Sequence, residues 1–300
     1  MSFDHIALIG LGEVGTILAD DLRSAGVGKI TAFDVLFAEP TSAPSRAADD
    51  RAIARAASAP EAVSGAQLVI SAVTAASDAA AAAAAAPGLS GGAFFLDLNS
   101  ASPGEKQASF AIIEAAGGRY VEAAVMTPVP PKRIASQMLL GGPHAGDFLA
   151  AAQGLGLAAT VFSPVVGKAS ATKMCRSVVI KGVEALLTES LLAARYYGVD
   201  QTVLESLSDL LPLPDWKGTA LYMLSRSLEH GERRAEEMRE AARTVAEAGI
   251  EPLMSRSIAQ RQDWAAARKD ALAQGELGPM LDAVRQGLPP IPETPPSWRR

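Results

Sequence analysis

Three glycines, Gly10, Gly12 and Gly15, interrupt an apolar run that begins at Ile6, "IALIGLGEVGTILADDL". A buried strand, a G-x-G-x-x-G turn and a helix, in that order, make a cradle for phosphates. The first glycine permits the tight turn, the second lets a pyrophosphate approach the backbone, and the third lets helix and strand pack closely. Leu11, Glu13 and Val14 complete the turn and open the helix, whose free N–H groups and partial positive charge favour an anion. Asp34 ends the following strand, where a carboxylate can accept from both hydroxyls of an adenosine ribose. The ligand that suits this set is a dinucleotide. Asp34 would repel a 2′-phosphate, and Val35, Leu36 and Phe37 offer no arginine clamp, which favours NAD; NADP would need Arg46 or Arg51 to fold back.

A second group of chemical interest lies on a helix. In "GKASATKMCRS", helical spacing puts Lys173, Arg176, Ser177 and Ile180 on one face. Two cations one turn apart disfavour each other's charge, and arginine stays protonated, so Lys173 is expected to hold its proton less tightly. A lysine tuned in this way can relay a proton to a carbonyl oxygen or from a hydroxyl. Arg176 could form a bidentate pair with a carboxylate or phosphate, or instead pair with an acid such as Glu122. A solvated cationic face is the bland alternative for both. Cys175, on another face, reads as buried.

Other candidates follow strands. Ala72, Val73 and Thr74 end one strand, at the edge where a doubly wound fold meets its ligand. Asn99 and Ser100 end the next and could bond the ribose or carboxamide of the nicotinamide half; helix capping, their other use, is already supplied by Ser102. "MTPVPPKR" is stiffened by its prolines and can hold Thr127 and backbone N–H groups for an anion. Trp216 and His230 could close the pocket from the second domain or from a second chain, though a lone Trp or His more often serves packing. No His, Cys and carboxylate cluster has metal-ligand spacing.

The elements that must position these residues alternate in the first half. Strands are expected at His5 to Ile9, Lys29 to Phe33, Leu68 to Ala72, Ala93 to Leu98, Tyr120 to Val125 and Met138 to Gly141. Helices are expected at Val14 to Ala25, Arg46 to Ser58, through the Ala-rich stretch, and after the "SPGE" cap. This is the pattern of a parallel sheet covered on both faces, an α/β Rossmann domain. From Ser170 onward only helical segments appear: Ser170 to Tyr197, Gln201 to Leu211, Ala220 to His230, Glu232 to Ala248 and Pro252 to Lys269. The expected division is therefore 1–166 for the dinucleotide-binding Rossmann domain and 167–300 for an all-α domain. The tail "LPPIPETPPSWRR" reads as extended.

Composition sets limits. With 49% hydrophobic and 20% charged residues, the 300-residue chain has an ordinary globular composition. A net charge of −6 with scattered acids and bases argues against a nucleic-acid surface. One cysteine fits a reducing compartment, the cytoplasm. The N-terminus does not read as a signal peptide, and the one run near the length of a membrane span, the Ala-rich stretch around Ala79, is weakly apolar, broken by Asp78 and Pro87, and reads as a soluble helix.

With these motifs in place the chain resembles the β-hydroxyacid dehydrogenases, the family of 3-hydroxyisobutyrate, tartronate semialdehyde and 6-phosphogluconate dehydrogenases, from Ile6 to about Pro252. "GLGEVG", "DLNSASP", "EAAVMTPVPPKRIASQMLLGG" and "GKASATKMCRS" carry the resemblance. It is most similar to a 6-phosphogluconate dehydrogenase-like branch with a variant C-terminal domain. The resemblance implies that Lys173 is the catalytic lysine and that Met126, Thr127 and Ser177 lie where substrate binds, with Arg176, on the same helix face, as a further substrate-binding candidate. Four places depart from the family pattern. Met126, Thr127 and Pro128 replace a Ser-Gly-Gly, Ala169 a glycine, Ser177 an asparagine, and Glu236, Glu237 and Met238 a Lys-Asp-Leu.

The expected activity is NAD(P)-dependent hydride transfer on a small polar 3-hydroxyacid or a related alcohol/carbonyl pair, with Lys173 moving the proton. Imine reduction is the enzymatic alternative, and a dinucleotide-binding redox sensor the non-catalytic one. The helix from Ser170 carries Val178, Val179, Val183, Leu186, Leu187 and Leu191 on more than one face, so a homodimer through the helical halves is expected, as the resemblance also implies.

Overall fold

The computed structural model describes residues 3–210 and 215–288. They form two compact units: the chain up to Ser177 together with Glu240–Pro252, and Val178–Arg239 together with the residues from Leu253 on.

The first unit is built on one eight-stranded sheet. Its strands are β1 (His5–Ile9), β2 (Lys29–Phe33), β3 (Ala54–Arg55), β4 (Leu68–Ser71), β5 (Phe94–Asp97), β6 (Arg119–Val125), β7 (Met138–Gly141) and β8 (Ala159–Ser163), in the order β3-β2-β1-β4-β5-β6-β7-β8. All neighbours are parallel except β6 and β7. The helices are α1 (Glu13–Ser24), α2 (Ala43–Asp50), α3 (Ala59–Val63), α4 (Asp78–Ala85), α5 (Pro103–Ala115), α6 (Val129–Lys132) and α7 (Ala145–Ala151).

The central strands are apolar throughout because both sheet faces are covered. In β1, Ile6 and Leu8 pack with Leu18, Leu22 and Phe148 on one face. Ala7 and Ile9 pack with Val69, Phe95 and Tyr120 on the other. The strand order reverses between β1 and β4. That switch point is where a doubly wound sheet opens a crevice at the carboxyl ends of its strands.

The structure corrects several expectations. The helix expected over Arg46 to Ser58 is α2 alone, started by Ser42, whose hydroxyl accepts from Ser45 N–H, and stopped before Ala52, which has φ +48°. The chain then adds the edge strand β3, and Ser58 caps a separate α3. Segments α7 and β8 were not anticipated. The first compact unit reaches Ser177 along the chain. A long helix, α8 (Lys168–Tyr197), starts within the first unit, and Glu240–Pro252 returns to it. There Glu240 accepts from Ser102 N–H at 3.0 Å and Glu247 from Ser102 Oγ–H at 2.8 Å, so two carboxylates meet the positive end of α5.

The second unit is helical: the rest of α8, α9 (Asp200–Leu210), most of α10 (Trp216–Glu247), α11 (Leu253–Ala266) and α12 (Leu277–Gln286). Leu187, Leu191, Leu204, Trp216, Leu224 and Leu281 belong to its core. The two helices expected around Gly231 are the two segments of α10, which kinks at His230, where the backbone is non-helical (φ −121°). Gly231 sits so close to α11 that an added Cβ would strike the Gln262 carbonyl, which explains a glycine inside this helix. The helix α12 was not foreseen, and the proline-rich tail lies outside the described residues. No described helix is long and apolar enough to cross a membrane.

Candidate dinucleotide and proton-transfer site

The glycine turn joins β1 to α1. Gly10 has φ +91°, and a Cβ there would run into the Ala72 carbonyl. A Cβ on Gly15 would overlap the Gly10 carbonyl, whereas one on Gly12 would meet nothing within 4 Å. The turn is thus tight where protein meets protein and open where a pyrophosphate would approach. Leu11 is buried, Glu13 is exposed, and Val14 is half-buried. The residues present fit a dinucleotide.

Asp34 stands at the end of β2, half-buried. Its Oδ2 accepts from Leu11 N–H at 2.8 Å and its Oδ1 from Leu36 N–H at 2.9 Å. These bonds fix the carboxylate beside the glycine turn and leave each oxygen a further lone pair for a ribose hydroxyl. Arg51 pairs with Asp20 at 2.8 Å, and Arg46 donates to the Thr41 carbonyl.

Across the switch point, the loop after β4 carries Ala72, Val73 and Thr74, and the loop after β5 carries Asn99 and Ser100. Val73 N–H donates to Asn99 Oδ1 at 2.7 Å. Asn99 is buried, and its Nδ2 donates to Ser71 Oγ at 2.9 Å and Asp78 Oδ1 at 2.8 Å. Its side chain therefore works inside the protein, where sequence reasoning expected contact with the ribose or carboxamide. Ser100 Oγ accepts from Lys173 Nζ at 2.5 Å. Contacts thus run without a break from Asp34 through the glycine turn to Lys173.

Lys173 owes its place to the start of α8. Glu122, fully buried on β6, accepts from Gly167 N–H at 2.7 Å and from Ser170 N–H at 2.5 Å. Arg176 does not pair with Glu122; its guanidinium donates to the Met126 carbonyl at 3.2 Å and is exposed. In the same loop Thr127 Oγ1 is shielded from solvent without a protein hydrogen-bond partner. Ser177 is buried. Cys175 is exposed, contrary to expectation. Buried positions on this helix run through Ser170, Met174, Ser177 and Lys181, and Cys175 falls on the outward stripe with Thr172 and Val179.

Sequence reasoning missed a cluster behind these loops. Lys106 Nζ, fully buried, lies 2.6 Å from Asp97 Oδ1 and 3.3 Å from Asp78 Oδ2. Tyr120 Oη donates to Asp97 Oδ2 at 2.7 Å. Burial pushes the Asp78 carboxyl up to about 7, against the pull of Lys106 and with the help of Asp97. Burial, then the two aspartates, raise the Tyr120 phenol well above its usual range. No sequence motif marks this cluster, because its members come from four separate elements. Among the described residues no group of His, Cys, Asp and Glu could hold a metal ion.

Fold and site together define a dinucleotide-binding protein of the doubly wound class. A model of the NAD binding domain of 6-phosphogluconate dehydrogenase matches residues 5–167, and the chain belongs to that family. Residues 194–265 match a domain of unknown function, DUF1932. A conserved hypothetical protein from Sinorhizobium meliloti 1021 is 35% identical, with TM-score 0.73 over 95% of this chain and 97% of that one. MTH1747, a conserved protein of unknown function with structural similarity to 3-hydroxyacid dehydrogenases, is 33% identical, with TM-score 0.68 over 91% and 100%. The 3-hydroxyisobutyrate dehydrogenase of Mycobacterium tuberculosis, solved with L-serine, has TM-score 0.70 over 95% and 99% at 20% identity, a likeness of fold. No curated protein matches the chain.

Proposed function

We propose that the protein is an NAD-dependent dehydrogenase or reductase acting on the CH–OH group of a small polar 3-hydroxyacid or related alcohol/carbonyl substrate. The observation that carries this reading is the Lys173 Nζ–Ser100 Oγ bond, one residue from Asn99 and the cofactor-side loops. When bound, the nicotinamide group accepts or donates the hydride. Gly10, Gly12 and Gly15 with the start of α1 hold the pyrophosphate, and Asp34 the adenosine ribose. Asp34, with Arg46 and Arg51 both engaged elsewhere, favours NAD over NADP.

Ser100 Oγ orients the lysine amine. In the oxidative direction neutral Lys173 takes the proton from the substrate hydroxyl as the carbonyl forms; in reverse its ammonium returns it. Thr127 Oγ1 and the Arg176 guanidinium are donors for a substrate carboxylate, and Ser177 stands one turn from Lys173 on the same helix.

The test is a panel of 3-hydroxyacids and related alcohols incubated with NAD, followed by the absorbance of NADH. Turnover of at least one carboxylated hydroxy compound is the expected result. Dinucleotide binding without turnover across the panel would favour a redox sensor.

A further inference from the structure

The loops after β4 and β5 are separate in sequence, yet one side chain ties them together. Asn99 Oδ1 holds Val73 N–H, and its two Nδ2 hydrogens go to Ser71 Oγ and Asp78 Oδ1. Its own N–H donates to Asp97 Oδ1 at 3.0 Å. Asp78 and Val73 fix which way the amide faces, since only Nδ2 can donate to the Asp78 carboxylate and only Oδ1 can accept from Val73 N–H. Behind them Lys106 balances part of the buried charge, and Tyr120 takes the other oxygen of Asp97.

Topology says what the tied loops face. Asp34, on β2, marks the adenosine side, and the glycine turn after β1 marks the pyrophosphate. A dinucleotide spanning the switch point therefore lays its other half over the ends of β4 and β5. Ser100, the next residue, holds Lys173.

We propose that Asn99 is a positioning residue for the nicotinamide half of the dinucleotide, clamping the β4 and β5 loops into one rigid floor and holding Ser100 in place for Lys173. The inference rests on the dinucleotide-binding reading above. Asn99 touches neither cofactor nor substrate; it acts through Val73 and Ser100. The clamp also explains a buried lysine between two buried aspartates, which a fold alone does not require and which apolar residues could replace at little cost in stability.

Calorimetric titration of the full chain with NADH and with ADP-ribose tests this, because ADP-ribose lacks the nicotinamide. Asn99→Ala should weaken NADH by about tenfold, the loss of roughly one well-placed hydrogen bond, and leave ADP-ribose within about twofold of wild type. Asn99→Asp, a second variant, keeps the acceptor for Val73 but sets a carboxylate against Asp78, near Asp97, Lys106, Tyr120 and Glu122. Its NADH affinity should recover between about pH 8 and about pH 6, where two adjoining carboxyls can share a proton. Equal weakening of both ligands, or of neither, in a folded Asn99→Ala overturns the proposal. If Asn99→Ala does not fold, Asn99→Asp decides: an affinity for NADH that changes with pH no more than that of wild type overturns it. A wild-type chain that binds neither ligand instead refutes the dinucleotide reading, and this proposal with it.

Discussion

At the scale of single residues, the proposed preference for NAD over NADP rests on Asp34. Its carboxylate is fixed by two backbone N–H groups, and the nearby arginines are tied to Asp20 and to the Thr41 carbonyl. Calorimetry should therefore find NADH bound more tightly than NADPH; the reverse order would mean that Arg46 or Arg51 swings to a 2′-phosphate. Asp78 makes a prediction about pH. Its folded value of about 7 lies above its ordinary 3.8, so the folded chain holds an extra proton between those values. The stability this proton gives is complete below the ordinary value and lost as pH rises through about 7. Asp78→Asn abolishes that loss. The variant should unfold a few degrees above wild type at about pH 8, with the difference shrinking toward about pH 5. A difference independent of pH would contradict the buried charge. The glycine turn and Asp34 are legible in sequence because backbone geometry demands those residue types at that spacing. Lys106 and the inward bonds of Asn99 are not, because a buried hydrogen bond to a residue 26 positions away has no period.

At the scale of elements, the strands and α5 follow from local rules: apolar runs for a covered sheet, and Ser102 with Pro103 for a helix start. What escapes local rules is the fixing of helix ends by distant acids. Glu122 is 45 positions before Gly167, yet its carboxylate receives the first N–H groups of α8. Glu122→Ala leaves two buried donors unpaired, at about 1–3 kcal/mol each, and should lower the thermal midpoint by several degrees. Glu122→Gln, with one oxygen retained, should lose about half as much. Equal midpoints for Glu122→Ala and wild type in calorimetry would show that α8 does not depend on this cap. Cys175 was misread for a related reason: which stripe of α8 is covered depends on tertiary packing, and neighbours one residue apart differ by about 100° in phase.

At the scale of the whole molecule, the helical unit leaves apolar surface uncovered. Val179 is 64% exposed, Leu186 61%, Leu253 66% and Met254 60%. A groove of about 430 Å³, lined by Leu186, Met254, Ile258 and Trp264 among others, lies in the same unit. Scattered exposed apolar residues are ordinary; Leu186 and Met254, which line one groove, are the part that suits an interaction surface. We expect two chains to pair through their helical units, and light scattering at micromolar concentration should give twice the mass of one chain. A single-chain mass that persists on concentration would refute the pairing. The all-helical character of the second half is legible from its lack of strand patterns. The return of Glu240–Pro252 to the first unit is not, since it depends on Ser102, 138 residues before Glu240.

The central claim, that Lys173 moves a proton beside a bound dinucleotide, is tested most directly by Lys173→Ala. Turnover of the best substrate from the hydroxyacid panel should fall by roughly 10²–10⁴-fold, while NADH affinity, measured on the same preparation, stays at the wild-type level. Near-wild-type turnover by Lys173→Ala would contradict the account and put the acid/base group elsewhere.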